Sequence, residues 1–406
     1  MPFSSPISRG RPSLAGVAAK RLVAVDLPDH GSNQHELNGV NQLVLILGDE
    51  RIERGLIRWL LISDDEGIAT DSTGSFTWYD SRENKPHRSA EFRLYYDSEN
   101  QLENADPGDI ILLAAIVHDP PPQLVAFVIP RGSSFEQQLC WLFGLDPDLL
   151  KSFSIPDPEL LTVRARSVAA LDLVELLGLS AESKETPATD LDLVRRRFGG
   201  VFPSTAEMSA FARYEAPHRP RTDPDAALHG WLQREEQLFR ALEEFLVRDR
   251  LETGFAGIDD FISFSLSVHN RRKARMGRAL ENHLRAVFDE NGIEYSYNAV
   301  TEHNSRPDFL FPSVEAYQIN ANNGDGLYML GAKSTCKDRW RQVLAEAARI
   351  PHKHLCTLEP KISESQTDEM NAAQVSLVVP AEIRDTYTEA QKAEILTISG
   401  FLDLVS

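Results

Sequence analysis

Short apolar runs recur through the first third of the chain: RLVAVDL, QLVLILG, LIRWLLIS, FTWYDS, EFRLYYDS, DIILLAAIV and LVAFVIP. Turn residues separate them, among them Asp106-Pro107-Gly108-Asp109 and Asp119-Pro120-Pro121-Pro122. Several short strands at this spacing predict a barrel or sandwich over residues 20–145. Residues 135–207 read as helical and irregular, with a polar loop at Ser180–Thr189. The prolines and charges of PHRPRTDP, Pro217 to Pro224, read as an inter-domain linker. The apolar period then becomes helical over Leu228–Val247, Ile258–Ser267 and Arg271–Glu290. PDFLFPS and LYMLGAK follow as strands, then a helix from Lys337 to about Arg349, the runs HLCTL and VSLVVP, and a last helix from Thr388. Strands alternating with helices predict an α/β domain.

Composition narrows the class. A chain of 406 residues with 42% hydrophobic and 25% charged residues holds two or three domains, each with its own core. No apolar run approaches the roughly 20 residues of a membrane span. The three cysteines, Cys140, Cys336 and Cys356, lack C-x-x-C spacing, which argues against a disulfide framework or a zinc site and fits a reducing cytoplasm. The start of the chain carries Arg9, Arg11, Lys20 and Arg21 with serines and no acid; residues 1–17 read as a disordered tail rather than an organellar transit peptide. The net charge of −19 does not exclude nucleic acid, because binding depends on where the cations sit. Here they cluster, at Arg271, Arg272, Lys273, Arg275, Arg278 and Arg285, and again at Lys333, Lys337, Arg339 and Arg341.

Pro307-Asp308 opens the apolar run DFLF, Lys333 closes LYMLGAK, Glu346 follows on the expected helix, and Glu281 lies upstream in RALENHLRAVF. Metal-dependent cleavage of a phosphodiester needs hard oxygen ligands on rigid elements and a cation near the attacking water. Adjacent strand ends bring Asp308 and Lys333 together, whereas Glu346 reaches the same cleft only if its helix runs past the strand edge. Each has a plainer reading: Pro-Asp often starts a turn or strand, and a lysine at a strand end is usually a solvated rim residue.

The segments SVHNRRKARMGRALENHL, RPDFLFPS and AKSTCKDRWRQVLAEA resemble, in order and spacing, the catalytic domain of the EcoRII-type restriction endonucleases, within the PD-(D/E)XK nuclease superfamily. The resemblance covers roughly residues 227–402. It implies a Mg²⁺-dependent endonuclease domain over 227–406, with a mixed central sheet flanked by helices. Asp308 and Glu346 are then the metal-binding acids, Lys333 the active-site lysine, and Glu281 an assisting acid on the first helix of the core. The family places its second acid after the lysine, a permuted form of the superfamily motif; here Gly331-Ala332 precede Lys333, so no carboxylate stands two residues before it. The tripeptide Lys337, Asp338 and Arg339 matches residues that read C·G pairs in the major groove, where Lys and Arg donate to guanine and Asp accepts from cytosine N4. The plainer role of Asp338 is a helix cap. Arg271, Arg272, Lys273 and Arg275 are expected at DNA phosphates, or else form a solvated basic face; Arg341 fits either role. Some family members flip the central nucleotide with an arginine and a tyrosine, but the corresponding HGWLQREEQLF has no tyrosine, Arg234 is displaced, and Trp231 reads as core.

FTWYDSRENKPHRSAEFRLYY, PGDIILLAA and LVAFVIPRGSSFEQQL resemble the B3-like DNA-binding domain, a β pseudobarrel, at the N-terminus of some of these enzymes. That resemblance implies an effector domain with a helical extension over 18–207 and a linker over 208–226. Arg82, Lys85, Arg88 and Arg93 lie in or beside a loop suited to reach effector DNA; a charged hairpin loop is the plainer reading. Such a module makes cleavage depend on a second copy of the site, or blocks the cleft until DNA engages it. The chain is therefore expected to be an α+β multidomain protein and a homodimeric type II restriction enzyme, cutting double-stranded DNA at a CC/GG-containing (CCWGG- or CCNGG-like) site, with a companion cytosine methyltransferase. Two other classes stay open. A non-cleaving DNA-binding regulator is disfavoured by the complete set of Asp308, Lys333 and Glu346. A modification-dependent nuclease calls for an aromatic cage, for which Trp78, Tyr79, Tyr95 and Tyr96 are available.

Overall fold

The structure, a computed structural model, describes residues 13–28, 35–37, 40–64, 67–84, 87–97, 100–117, 123–156, 164, 167–170, 173, 188–319, 326–336 and 339–406. Two compact units meet in the chain near residue 183.

The N-terminal unit is built on seven strands: β1 (Ser13–Arg21), β2 (Glu36–Leu37), β3 (Ile52–Ser63), β4 (Gly67–Asp80), β5 (Phe92–Tyr96), β6 (Ile110–Val117) and β7 (Gln123–Ile129). They form one sheet in the order β1-β6-β7-β3-β4-β5-β2, antiparallel except for the parallel pair β3 and β7. Side chains alternate across a strand, and both faces are apolar. Ile57, Trp59, Ile111 and Leu113 enter the core on one face, with Leu43 and Leu47 around helix α1 (Val44–Leu47) beside them. Leu60, Ile62, Ile110 and Leu112 enter the core on the other, covered by Phe135, Leu139 and Phe143 of α2 (Ser134–Phe143). Ser133 caps α2 by accepting the Glu136 N–H at 3.1 Å, and Gly144 ends it in the left-handed region that favours glycine.

The C-terminal unit opens with four helices: α3 (Ala188–Phe198), α4 (Thr205–Glu215), α5 (Pro224–Thr253) and α6 (Ile258–Asn291). A five-stranded sheet follows, of β8 (Ser296–Tyr297), β9 (Phe309–Phe311), β10 (Tyr328–Ala332), β11 (Lys353–Cys356) and β12 (Val375–Val378). Its order is β12-β11-β10-β9-β8, parallel from β12 to β10 and antiparallel from β10 to β8, which is the mixed sheet expected. The shorter helices are α7 (Val314–Ile319), α8 (Arg339–Val343), α9 (Glu364–Ala372), α10 (Ala381–Arg384), α11 (Glu389–Glu394) and α12 (Ile398–Val405). The Asp225 carboxylate accepts the N–H groups of Ala381, Ile398 and Ser399 at 2.9–3.0 Å, tying α10 and α12 to α5.

Three elements differ from the sequence reading. The segment taken as a linker holds α4, whose Met208 and Ala212 pack with Val194, Leu238 and Leu242, so α3 and α4 fold onto α5. PHRPRTDP is instead a turn between packed helices, with Pro224 in the first turn of α5 and Asp223 accepting the Ala226 N–H at 2.9 Å. The helices expected at Ile258–Ser267 and Arg271–Glu290 are one continuous helix, α6, and the helix expected to reach about Arg349 ends at Val343. Among the described residues no helix is long and apolar enough to cross a membrane.

Candidate active site

Strand register assembles the site. β9 and β10 are antiparallel with Phe309 opposite Leu330, which sets Asp308 beside the end of β10. Asp308 Oδ2 accepts the Ala332 N–H at 2.7 Å and the Lys333 ammonium at 2.8 Å. The Lys333 N–H in turn donates to the Cys356 carbonyl at 2.9 Å, at the end of the parallel neighbour β11. Asp308 is only 8% exposed, so the pair is a charge-assisted bond in a partly desolvated place. Both bonds fall on Oδ2, which leaves Oδ1 as the oxygen to offer a metal.

Gly331, two residues before Lys333, is closely packed. A Cβ there would meet Val343 Cγ2 at 3.0 Å and Leu355 Cδ1 at 3.5 Å, so a larger residue would need Val343 to give way by a few tenths of an ångström.

Glu281 arrives on α6, and its Oε2 accepts the Tyr297 hydroxyl at 2.5 Å. Burial raises its carboxyl above the usual range, the Tyr297 bond opposes this, and Asp308 and Lys333 both act on it electrostatically. Burial likewise pushes the Glu346 carboxyl up to about 7; Lys333 pulls it down and Asp308 pushes it further up. Glu346 Oε2 is buried without a hydrogen-bond partner. Glu346 does not lie on a helix, contrary to expectation. After α8 the chain descends through tight turns, with the Glu346 N–H donating to the Val343 carbonyl at 3.1 Å and Ala347 at φ 44°. These turns, rather than a long helix, bring Glu346 within electrostatic range of Asp308 and Lys333. Lys353, buried at the start of β11, donates to the carbonyls of Glu346 and Ala347, and burial lowers its ammonium to about 8.

Glu281, Asp308, Lys333 and Glu346 are thus drawn into one electrostatic cluster. Among the described residues no group of three or more His, Cys, Asp or Glu side chains is close enough to hold a metal by protein ligands alone. Asp308 Oδ1 and the buried, unpartnered Glu346 Oε2 are hard oxygen donors of the kind a divalent cation takes.

The basic stretch of α6 is placed otherwise than expected. Arg275 is buried, its guanidinium against Glu235 and Glu236 and over the Phe239 ring at 4.3 Å. Arg272 holds Glu243 with both Nε and Nη2, at 2.6–2.9 Å. Arg271 is exposed and lies over the Phe202 ring at 4.1 Å. The Lys273 side chain, like Lys337, Asp338 and Lys85, lies outside the described residues. The acidic face of α5 therefore takes up Arg272 and Arg275, which neither the phosphate reading nor the solvated face anticipated. Arg339 is exposed at the first position of α8, and the half-exposed Arg341 bridges to Glu369 at 2.7 Å. Trp231 is core, its indole N–H bonded to the Ala216 carbonyl at 3.0 Å, and Arg234 holds Asp190 at 2.9 Å.

In the N-terminal unit Arg82 pairs with Glu91 at 2.6 Å, Arg93 pairs with Glu36 at 2.9 Å from within β5, and Arg88 is exposed. Trp78 and Tyr96 lie in the core and Tyr79 bonds Glu36, so these three do not form a cage. The sequence reading did not single out Tyr297, Lys353 or the buried pair Glu235–His283. Glu235, His283 and Lys353 each stand among other polar residues in the chain, so the local pattern gave no sign that they are buried.

The mixed sheet thus presents a carboxylate–lysine pair at neighbouring strand ends, with Glu281 and Glu346 in the field of both. Residues 239–402 match the family described as EcoRII C terminal. The chain is 42% identical over 204 residues to the type II restriction enzyme EcoRII of Escherichia coli, a match covering 50% of this chain and 50% of the relative. The chain thus spans about half the length of the curated relative it matches. Two solved structures are also similar. Metal-depleted Ecl18kI in complex with uncleaved, modified DNA is 18% identical with a TM-score of 0.42, covering 54% of this chain and 84% of that one. The complex of restriction endonuclease PspGI with substrate DNA is 16% identical with a TM-score of 0.41, covering 50% and 92%.

Proposed function

We propose that this chain is a type II restriction endonuclease that hydrolyses double-stranded DNA at a short CC/GG-containing site, with a divalent metal, Mg²⁺, held by Asp308 and Glu346. The observation that carries the reading is the Lys333–Asp308 bond at 2.8 Å at the joined ends of β9 and β10, with Glu281 and Glu346 in the field of both. When bound, the metal supplies Lewis acidity toward the phosphate and the attacking water. Lys333 holds Asp308 in place and offers positive charge to a phosphate oxygen. Glu281, its carboxyl raised by burial, faces the same cluster, and Tyr297 orients it. Arg339 and the neighbouring Lys337 and Asp338 read base edges, and the exposed Arg271 is left to meet phosphate.

A two-fold DNA site calls for a two-fold protein. Ile258, Phe261, Ile262 and Leu266 form an exposed apolar stripe on α6, which suits contact with a second copy of the chain. The N-terminal unit is read as a B3-like effector module that engages a second copy of the site through the loop bearing Arg82, Lys85 and Arg88. A companion cytosine methyltransferase would protect the same site, and the cytoplasm is where both would act. Because α3 and α4 pack on α5, removing residues 1–183 should leave a folded nuclease, whereas removing 1–220 strips the core around Leu238 and Leu242.

The test is digestion of a plasmid of known sequence with Mg²⁺ and sequencing of the ends. Discrete fragments ending at one short CC/GG-containing sequence are expected. Specific binding without cleavage would favour the regulator, and cleavage only of methylated plasmid would favour the modification-dependent nuclease.

A further inference from the structure

Lys353 has no part in the chemistry described so far, yet it is 4% exposed in the C-terminal unit. A buried ammonium is costly unless its donors are used. Its main chain is fixed by pairing with Val375 and by its N–H bond to the Gln374 carbonyl at 2.8 Å. Its Nζ donates to the carbonyls of Glu346 and, at 2.7 Å, of Ala347. These are main-chain acceptors in the turns beyond the end of α8, where the Ala347 carbonyl also accepts the Ile350 N–H at 2.9 Å. The far side of the same turn is clamped too. Arg349 donates to the Tyr317 and Gln318 carbonyls at 3.1 Å and pairs with Glu302 at 2.8 Å, while the Tyr317 hydroxyl bonds Glu302. Between the two clamps lies the residue whose buried Oε2 has no partner. Methionine would fill the same length without the desolvation cost, so what the lysine adds is a pair of bonds to this turn.

We propose that Lys353 is a positioning residue. Its ammonium fixes the peptide of Glu346 so that the carboxylate faces the metal beside Asp308. The inference rests on the reading of Asp308 and Glu346 as metal ligands.

The test is Mn²⁺ binding to the full-length, DNA-free protein, followed by electron paramagnetic resonance, for wild type, Lys353→Met, Lys353→Arg, Asp308→Asn and Asp225→Ala. Residues that hold metal ligands in place typically change affinity by roughly 10–100-fold, and a folded Lys353→Met protein is expected to fall in that range, with Lys353→Arg recovering part of the loss. Asp225→Ala removes the bonds to α10 and α12, so it should lower the melting temperature while leaving Mn²⁺ affinity at the wild-type value. A folded Lys353→Met protein that binds Mn²⁺ as wild type does would overturn the proposal. So would equal weakening in Asp225→Ala, which would make the effect one of stability alone. Should Lys353→Met not fold, Lys353→Gln, which keeps two N–H donors but no charge, replaces it; weaker binding supports the proposal and wild-type binding overturns it. If wild type binds no Mn²⁺, or Asp308→Asn binds it equally well, the metal-site reading itself has failed.

Discussion

Two charge clusters in the C-terminal unit are built from similar residues and are satisfied very differently. Between α5 and α6 most charges have partners, although Arg275 Nε is buried without one. Glu235 bonds His283 Nε2 at 2.9 Å and also faces Arg275, Arg213 donates to His283 Nδ1 at 3.1 Å, and Arg272 holds Glu243. Since Nδ1 accepts from the arginine, the neutral imidazole carries its proton on Nε2, and burial lowers its pKa accordingly. At the strand ends, by contrast, Lys333 acts on Asp308, Glu281 and Glu346, Lys353 and Arg278 also bear on the two glutamates, and yet both glutamate carboxyls are pushed upward and one oxygen has no partner. The first cluster holds the helices together. The second keeps a buried carboxylate oxygen open, which is the condition of a site that waits for a cation.

The contrast can be broken in several places. The largest effect is expected at the open cluster: Lys333→Ala should slow DNA cleavage by roughly 10²–10⁴-fold with little change in melting temperature. Quantitative cleavage assays and thermal melts check both halves. In the helix cluster the balance reverses. Glu235→Leu leaves the buried His283 Nε2–H without its acceptor, while Arg275 keeps Glu236, and should cost about 1–3 kcal/mol in denaturant unfolding.

The pH dependence separates the clusters next. The Glu346 carboxyl is raised to about 7, so in metal-free protein its contribution to stability is full below the ordinary carboxylate range and lost as pH rises through 7. Metal binding needs the carboxylate, so Mn²⁺ affinity should rise by about tenfold per pH unit below 7 and level off above it. Melting curves and Mn²⁺ titrations from pH 5 to 9, compared with Glu346→Gln, measure the two opposing trends (these bounds are roughly two units either side of that midpoint). The smallest effect is expected outside both clusters. Arg341 and Glu369 are about half exposed, and Arg341→Ala should change stability by no more than about 0.5 kcal/mol.

Much of the site was legible because its parts are local. Asp308 and Lys333 sit at the ends of apolar runs, and strand ends are visible in a hydrophobic pattern. The α/β character followed from the alternation of strands and helices, and the mixed sheet from the family resemblance. What was hidden depends on pairing across the fold. The arginines of α6 read as free because nothing in the local pattern shows that α5 presents Glu235, Glu236 and Glu243 to them. The end of α8 was missed because RWRQVLAEAAR has strong helical propensity throughout; the helix ends at Val343, and beyond it Ala347 takes a positive φ and Lys353 bonds the Glu346 and Ala347 carbonyls. The boundary drawn at the prolines failed for a related reason: proline breaks a helix but does not say whether the next one packs back on it.

The central claim is that Asp308 and Glu346 hold one ion beside Lys333. Anomalous diffraction from crystals soaked in Mn²⁺ tests it directly. The account predicts a single strong peak within coordination distance, about 2.1 Å, of a carboxylate oxygen from each residue; peaks only elsewhere, or a fully occupied ion touching neither acid, would contradict it.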